Sequence, residues 1–236
     1  QADLLEDAWN GTGQFEGTEP IRGFGAVAGV YEEACQIVVR ADSEISTVEE
    51  LEGHRVSVGE EESGTRQNAL QILAAYGLNE KLVEEVSLNY TEAAKELENG
   101  SIDAFFCTAG AQTAAIANLA QRTGIRFLNV DGAAAARLKK SYPVYDSCII
   151  AAGTYPGQEE DVSTVGVKAV LLASDSVSAE VVEELTALLF EEQQELDFAL
   201  PVELITDADA AVAGISVPFH KGAERYYESR GEKSEN

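Results

Sequence analysis

The chain has 236 residues, enough for one large domain or two small ones, and 45% of them are hydrophobic, ample for a real core. Its 42 acidic against 16 basic residues give a formal net charge of −26. That balance argues against nucleic-acid binding, which needs clustered Lys and Arg against phosphates, and against docking on an anionic membrane surface. A globular chain this acidic fits a halophile, whose surface carboxylates keep it soluble in concentrated salt.

Residues 1–10 read as a segment entering a helix or turn, broken at Asn10-Gly11-Thr12-Gly13. The glycines at 11, 13, 17, 23, 25 and 29 make the following region loop-rich. Gly23-Phe24-Gly25 lacks the spacing and the preceding strand of a nucleotide-binding fingerprint. Gln36 to Arg40 is a buried strand candidate. Ser46 to Leu51 reads as a short helix capped by Ser46 or Thr47 and closed by Gly53.

The stretch from Arg55 to Leu70 organises the rest of the chain. Arg55 to Val58 is a strand ending at Gly59, and Ser63-Gly64-Thr65 opens a helix with Ala69, Leu70, Leu73 and Ala74 at helical spacing. A helix start leaves backbone N–H groups unpaired at the positive end of its dipole, so a carboxylate fits there. The alternative is a simple N-cap by Ser63 or Thr65. Glu60-Glu61-Glu62 fits an anion site only if these side chains point to solvent.

The helix runs to Tyr76 and stops at Gly77. Val83 to Leu88 is a strand, Thr91 to Glu98 a helix, and Ile102 to Cys107 a buried strand running into Thr108-Ala109-Gly110-Ala111-Gln112. A helix to about Arg122, a strand from Ile125 to Val130 and a basic helix from Ala133 to Lys140 come next. Cys148 to Ala152 and Val165 to Ala173 are strands. Ser178 to Glu192 is a helix with Val181, Val182, Leu185, Leu188 and Leu189 on its apolar side. A short helix spans Asp207 to Ala213, and a polar one spans Gly222 to Arg230. Alternating strands and helices imply an α/β fold with βαβ units and a largely parallel sheet, whose ligands sit beyond strand carboxyl ends. The turns 59–65 and 107–112 lie at two such ends.

Cys35, Cys107 and Cys148 are scattered, and His54 and His220 stand far apart. Neither set has metal-ligand spacing, so no metal, cofactor or structural disulfide is expected. The cysteines read as small buried hydrophobes and His220 as the cap of the turn before the last helix. No nucleophile elbow or His–carboxylate pair is present, which leaves reversible binding rather than catalysis. No apolar run is long enough to cross a membrane and no signal peptide is read. The abrupt start at Gln1 suggests that an N-terminal part was removed or that the chain is a fragment.

An ordered series of short motifs resembles the TAXI family, the solute receptors of tripartite ATP-independent periplasmic (TRAP) transporters. It comprises Ile45 through Gly59, Ser63-Gly64-Thr65, Ala74-Ala75-Tyr76-Gly77-Leu78, Gly100 through Phe106, Tyr142-Pro143, Gly153-Thr154-Tyr155, Thr164 through Val167, and Pro218 through Ala223. The series covers nearly the whole chain, and its order, with the closing Pro-x-His-x-Gly-Ala, is specific. The resemblance implies a two-lobed fold like that of type II periplasmic binding proteins, with the first lobe incomplete because family members carry further elements before Gln1. The lobes would be 1–47 with 146–236, including the hinge, and 48–145. It implies an extracytoplasmic receptor, periplasmic or on the cell surface of an archaeon. Such a receptor captures a small carboxylate or a glutamate-like amino acid and passes it to the permease subunits of a TRAP transporter. Ser63, Gly64 and Thr65 map onto the ligand turn, Thr108, Ala109 and Gly110 onto the neighbouring loop, and Tyr155 near the hinge as a ligand contact or a packed aromatic. Gln1 and Asp3 match a motif at a strand end. Two other classes are open on such a fold. An enzyme would need a nucleophile or acid–base pair in the cleft, and a regulator's effector domain would need a DNA-binding partner domain.

Overall fold

The computed structural model describes residues 1–192 and 202–234, with the side chains of 231–234 outside the description. The chain divides into two compact units, one formed by Gln1–Glu32 with Lys168–Asn236 and the other by Glu33–Val167. The sequence reading drew its divisions at 47/48 and 145/146. Two strands, β1 (Phe24–Arg40) and β7 (Val162–Ser174), cross the structural divisions at 32/33 and 167/168.

The second unit is built on β2 (Arg55–Ser57), β3 (Glu84–Val86), β4 (Ala104–Ala109), β5 (Ile125–Phe127) and β6 (Asp146–Ile150). The hydrogen-bonded order is β3-β2-β4-β1-β7-β6, with β5 also on β1. The sheet is mixed, not largely parallel. β2 runs parallel to β3 and β4, while β1 is antiparallel to β4 and β5, and β6 to β7. The parallel part is where βαβ crossovers occur, through α2 (Gly64–Ala75) and α3 (Tyr90–Glu98).

Alternation along the strands gives the sheet two apolar faces. Ile37, Val39, Val56, Val58 and Phe106 pack with Ala69, Ile72 and Leu73 of α2 and with Ala135 and Leu138 of α5 (Gly132–Ser141). Val38, Phe105 and Cys107 pack with Ala93, Ala94 and Leu97 of α3 and with Ile116 and Leu119 of α4 (Ala114–Ala120). The segment read as a capped helix at 46–51 forms only a 3-10 turn, Glu49–Leu51. There the Glu50 carboxylate reaches back to the Ser46 and Thr47 amides, and neither hydroxyl caps.

In the first unit, α1 (Ala2–Asn10) buries Leu5 beside Ala26 and Val217, and Trp9 meets Phe24 edge-on at 5.6 Å. The glycine-rich stretch is not all loop: Gly25 and Gly29 lie inside β1. A Cβ on Gly25 would stand 2.5 Å from the His220 nitrogen, so this strand position needs glycine for close backbone approach rather than for a turn. His220 is buried, and its Nδ1 accepts from the Gly222 amide at 3.2 Å, capping the turn as expected.

α6 (Ala179–Glu191) packs on α8 (Lys221–Ser234), and the short α7 (Ala208–Val212) lies between them in the chain. The expected apolar face of α6 is corrected. Val182 and Thr186 are buried, while Val181, Leu185 and Leu188 are 56%, 40% and 48% exposed. Thr186 tolerates burial because its hydroxyl donates to the Val182 carbonyl at 2.6 Å.

Candidate functional site

β2, β3 and β4 are parallel neighbours, so their carboxyl ends meet at one edge of the second unit. Three segments leave that edge: the turn 59–63 into α2, residues 87–89 into α3, and the loop 110–113 into α4. The two turns singled out in the sequence are therefore brought together by topology, although Thr65 and Thr108 are 43 positions apart in the chain.

The first turn folds back over the helix it starts. Gly59 has φ +98°, and a Cβ there would lie 2.9 Å from Thr65 Cγ2 and 3.0 Å from Ser63 Oγ. Ser63 caps α2: its Oγ accepts from the Arg66 amide at 3.1 Å and donates to the Glu60 carbonyl at 2.7 Å. Gly64 and Thr65 are buried, and their amides find no acceptor among the described residues, as expected for the first turn of a helix. Glu60, Glu61 and Glu62 are all exposed, so the acidic run does turn to solvent, although Glu60 still reaches the rim of the pocket. Arg66 in the first turn pairs with Glu85 at 3.1 Å.

Thr65 and Thr108 are joined by a residue that the sequence reading passed over. The Tyr90 hydroxyl donates to the Thr108 carbonyl at 2.9 Å and lies 2.6 Å from Thr65 Oγ1. With its one hydrogen so used, Tyr90 accepts from Thr65, whose oxygen in turn accepts from the Thr108 amide at 3.3 Å. The Thr65 hydroxyl is therefore spent on the fold, and the Thr108 hydroxyl donates to Cys35 Sγ at 3.6 Å. Burial raises the Tyr90 pKa well above the ordinary tyrosine value, so the phenol keeps its proton even at alkaline pH where an exposed tyrosine would ionise.

The second loop has its own brace. Tyr155 is 1% exposed and stacks on Phe127 with centroids 5.2 Å apart. Its hydroxyl donates to Gln36 Oε1 at 2.5 Å and accepts from the Thr113 amide at 3.0 Å. Gln36 Nε2 donates to the Ala109 carbonyl and to Thr113 Oγ1, both at 3.3 Å, and Thr113 donates to the Gly110 carbonyl at 2.9 Å. Tyr155 is thus a packed aromatic whose hydroxyl holds the loop that carries Ala109 and Gly110. Cys107, beneath this brace, has its thiol pushed up to about 12 by burial, partly offset by hydrogen bonds to Thr113 and Tyr90.

A pocket of about 540 Å³ opens between the starts of α2 and α3, lined by Glu60, Ser63, Thr65, Leu88, Asn89, Tyr90, Thr91 and Glu92. Asn89 caps α3, its side chain accepting from the Glu92 amide at 2.9 Å. Asn89 followed three residues later by Glu92 was a legible helix start, which puts the first helical residue at Tyr90, one residue before the Thr91 of the sequence reading. Gln36, a lone amide in an apolar strand, was a legible sign of a buried hydrogen-bonded brace. Among the described residues only Glu62 and Gln112 are non-glycines with positive φ, at 61° and 65°. One sits in each of the two turns. Backbone strain of this kind concentrates at ligand sites because surrounding structure must be organised to hold it.

The NMT1-like family model matches residues 1–231. Among solved structures, the chain is similar to a TctC solute binding protein from Polaromonas, determined with no ligand. The identity is 16%, the TM-score 0.51, and the match covers 98% of this chain and 75% of that one. It also matches the periplasmic aliphatic sulphonate binding protein SsuA from Escherichia coli at 18% identity and TM-score 0.47, covering 97% and 79%. The alkanesulfonate-binding protein SsuA from Xanthomonas axonopodis pv. citri, bound to MOPS, matches at 18% identity and TM-score 0.43, covering 85% and 66%. The Polaromonas match agrees with the α/β architecture, and the match along nearly the full sequence shows that the chain belongs to the NMT1-like family.

Proposed function

We propose that the chain is an extracytoplasmic solute receptor of the TAXI type, which captures a small carboxylate or glutamate-like amino acid for the permease subunits of a TRAP transporter. One observation carries the reading. Three parallel strand ends bring two backbone-strained turns side by side, one of them the start of a 12-residue helix whose first two amides find no acceptor among the described residues. Amides at a positive helix end suit a carboxylate without needing a basic side chain. In this reading the main chain of Gly64 and Thr65 binds the solute, and that of Ala109 and Gly110 completes the site. Ser63, Thr108 and Tyr155 hold those segments in place. Family membership and the fold shared with a TctC solute binding protein support the class of function. The charge of −26 supports a protein that works in concentrated salt.

A thermal-shift screen of small carboxylates and amino acids in molar salt tests the proposal. A solute bound only by the folded state raises the melting temperature by mass action, about 2.7 kcal/mol at a hundred times Kd. The expected result is a concentration-dependent rise with at least one carboxylate. Turnover of a screened solute, or no rise with any of them, would count against a receptor.

A further inference from the structure

We propose that Tyr90 is a positioning residue for solute binding: its hydroxyl, bonded to Thr65 on one side and Thr108 on the other, sets the spacing between the two recognition turns. The inference rests on the receptor reading and adds to it a residue outside the turns themselves.

The geometry is closed. Tyr90 gives its hydrogen to the Thr108 carbonyl, takes the hydrogen of Thr65, and the Thr108 amide returns to Thr65 Oγ1, at 2.9, 2.6 and 3.3 Å. Each of the three groups supplies one donor and meets one acceptor, so no member can turn away without leaving another unpaired in a largely dry place. Thr65 is 4% exposed and Thr108 5% exposed. The ring starts the third strand-end helix and lines the pocket beside Thr65, so one side chain joins all three strand ends. The direction of the Gly64 and Thr65 amides depends on where α2 begins. The Thr65 hydroxyl ties that point to β4 through this triangle.

The test is a double-mutant cycle of Tyr90→Phe and Thr65→Val in the full chain. Affinity for L-glutamate, L-aspartate, succinate and citrate is read by calorimetry in molar salt, with circular dichroism confirming that each variant is folded. Thr65→Ser, which keeps the hydroxyl, is the conservative control. Each single substitution should weaken binding of the solute that the parent takes by about tenfold. The double variant should be no weaker than either single one, since both break the same triangle, and Thr65→Ser should bind like the parent. Folded Tyr90→Phe with unchanged affinity would overturn the positioning role while leaving the receptor reading intact. Additive losses would also overturn it. A parent that takes none of the four solutes would overturn the receptor reading, and with it any role in binding for Tyr90.

Discussion

Glu62 and Gln112 hold a left-handed backbone that glycine adopts at little cost, at φ 61° and 65°. If that strain serves recognition, removing it should stabilise the chain while disturbing the turn. Glu62→Gly is expected to raise stability by about 1 kcal/mol in denaturant melts, with weaker solute binding as the accompanying change. Gly59 is the reverse case. At φ +98°, with Thr65 Cγ2 only 2.9 Å from where an alanine methyl would stand, Gly59→Ala should cost more than about 1 kcal/mol. Cys107 gives a pH prediction. Its thiol is raised above the ordinary value by burial, so the unfolded chain loses that proton first and binds fewer protons than the native state. Its contribution to stability is complete below the unfolded value of 9.0 and is lost as pH rises towards about 12. Urea melts from pH 8 to 11 should show a falling midpoint, and Cys107→Ser should flatten the fall. The cap at Ser63 was legible because an N-cap depends on local sequence alone. The partners of Tyr90 and Gln36 were not, because they lie elsewhere in the chain, at Thr65 and Thr108 for Tyr90 and at Ala109, Thr113 and Tyr155 for Gln36.

At the scale of elements, most strands and helices could be read from period and punctuation. The failures share a cause. β1 was truncated at Gln36 because Gly25 and Gly29 look like loop residues, yet packing against His220 and Ala211 requires the missing side chains. The parallel sheet was over-read because alternation of elements does not reveal the direction of β1, a long strand that returns antiparallel to β4. On α6, five apolar residues suggested one buried face, but α8 covers only the edge that includes Val182. Leu185→Gln and Leu188→Gln should therefore leave the melting temperature nearly unchanged, each within about 0.5 kcal/mol. Val182→Ala should cost about 1–2 kcal/mol from lost burial. Matched thermal melts of the three variants decide this.

At the scale of the whole molecule, the net charge of −26 opposes compaction by self-repulsion. Screening shortens the range of that repulsion to about 3 Å at 1 M salt. Circular dichroism across a salt series should show the fold strengthening towards molar salt; full stability at low ionic strength, unchanged by salt, would exclude a halophilic protein. Recognition of solute by the strand-end turns is tested most directly by amide NMR. With a solute from the screen added in molar salt, the amide resonances of Gly64, Thr65 and Gly110 should shift together and saturate with one Kd. Binding that leaves all three unmoved, with the shifts elsewhere, would contradict a site at these turns.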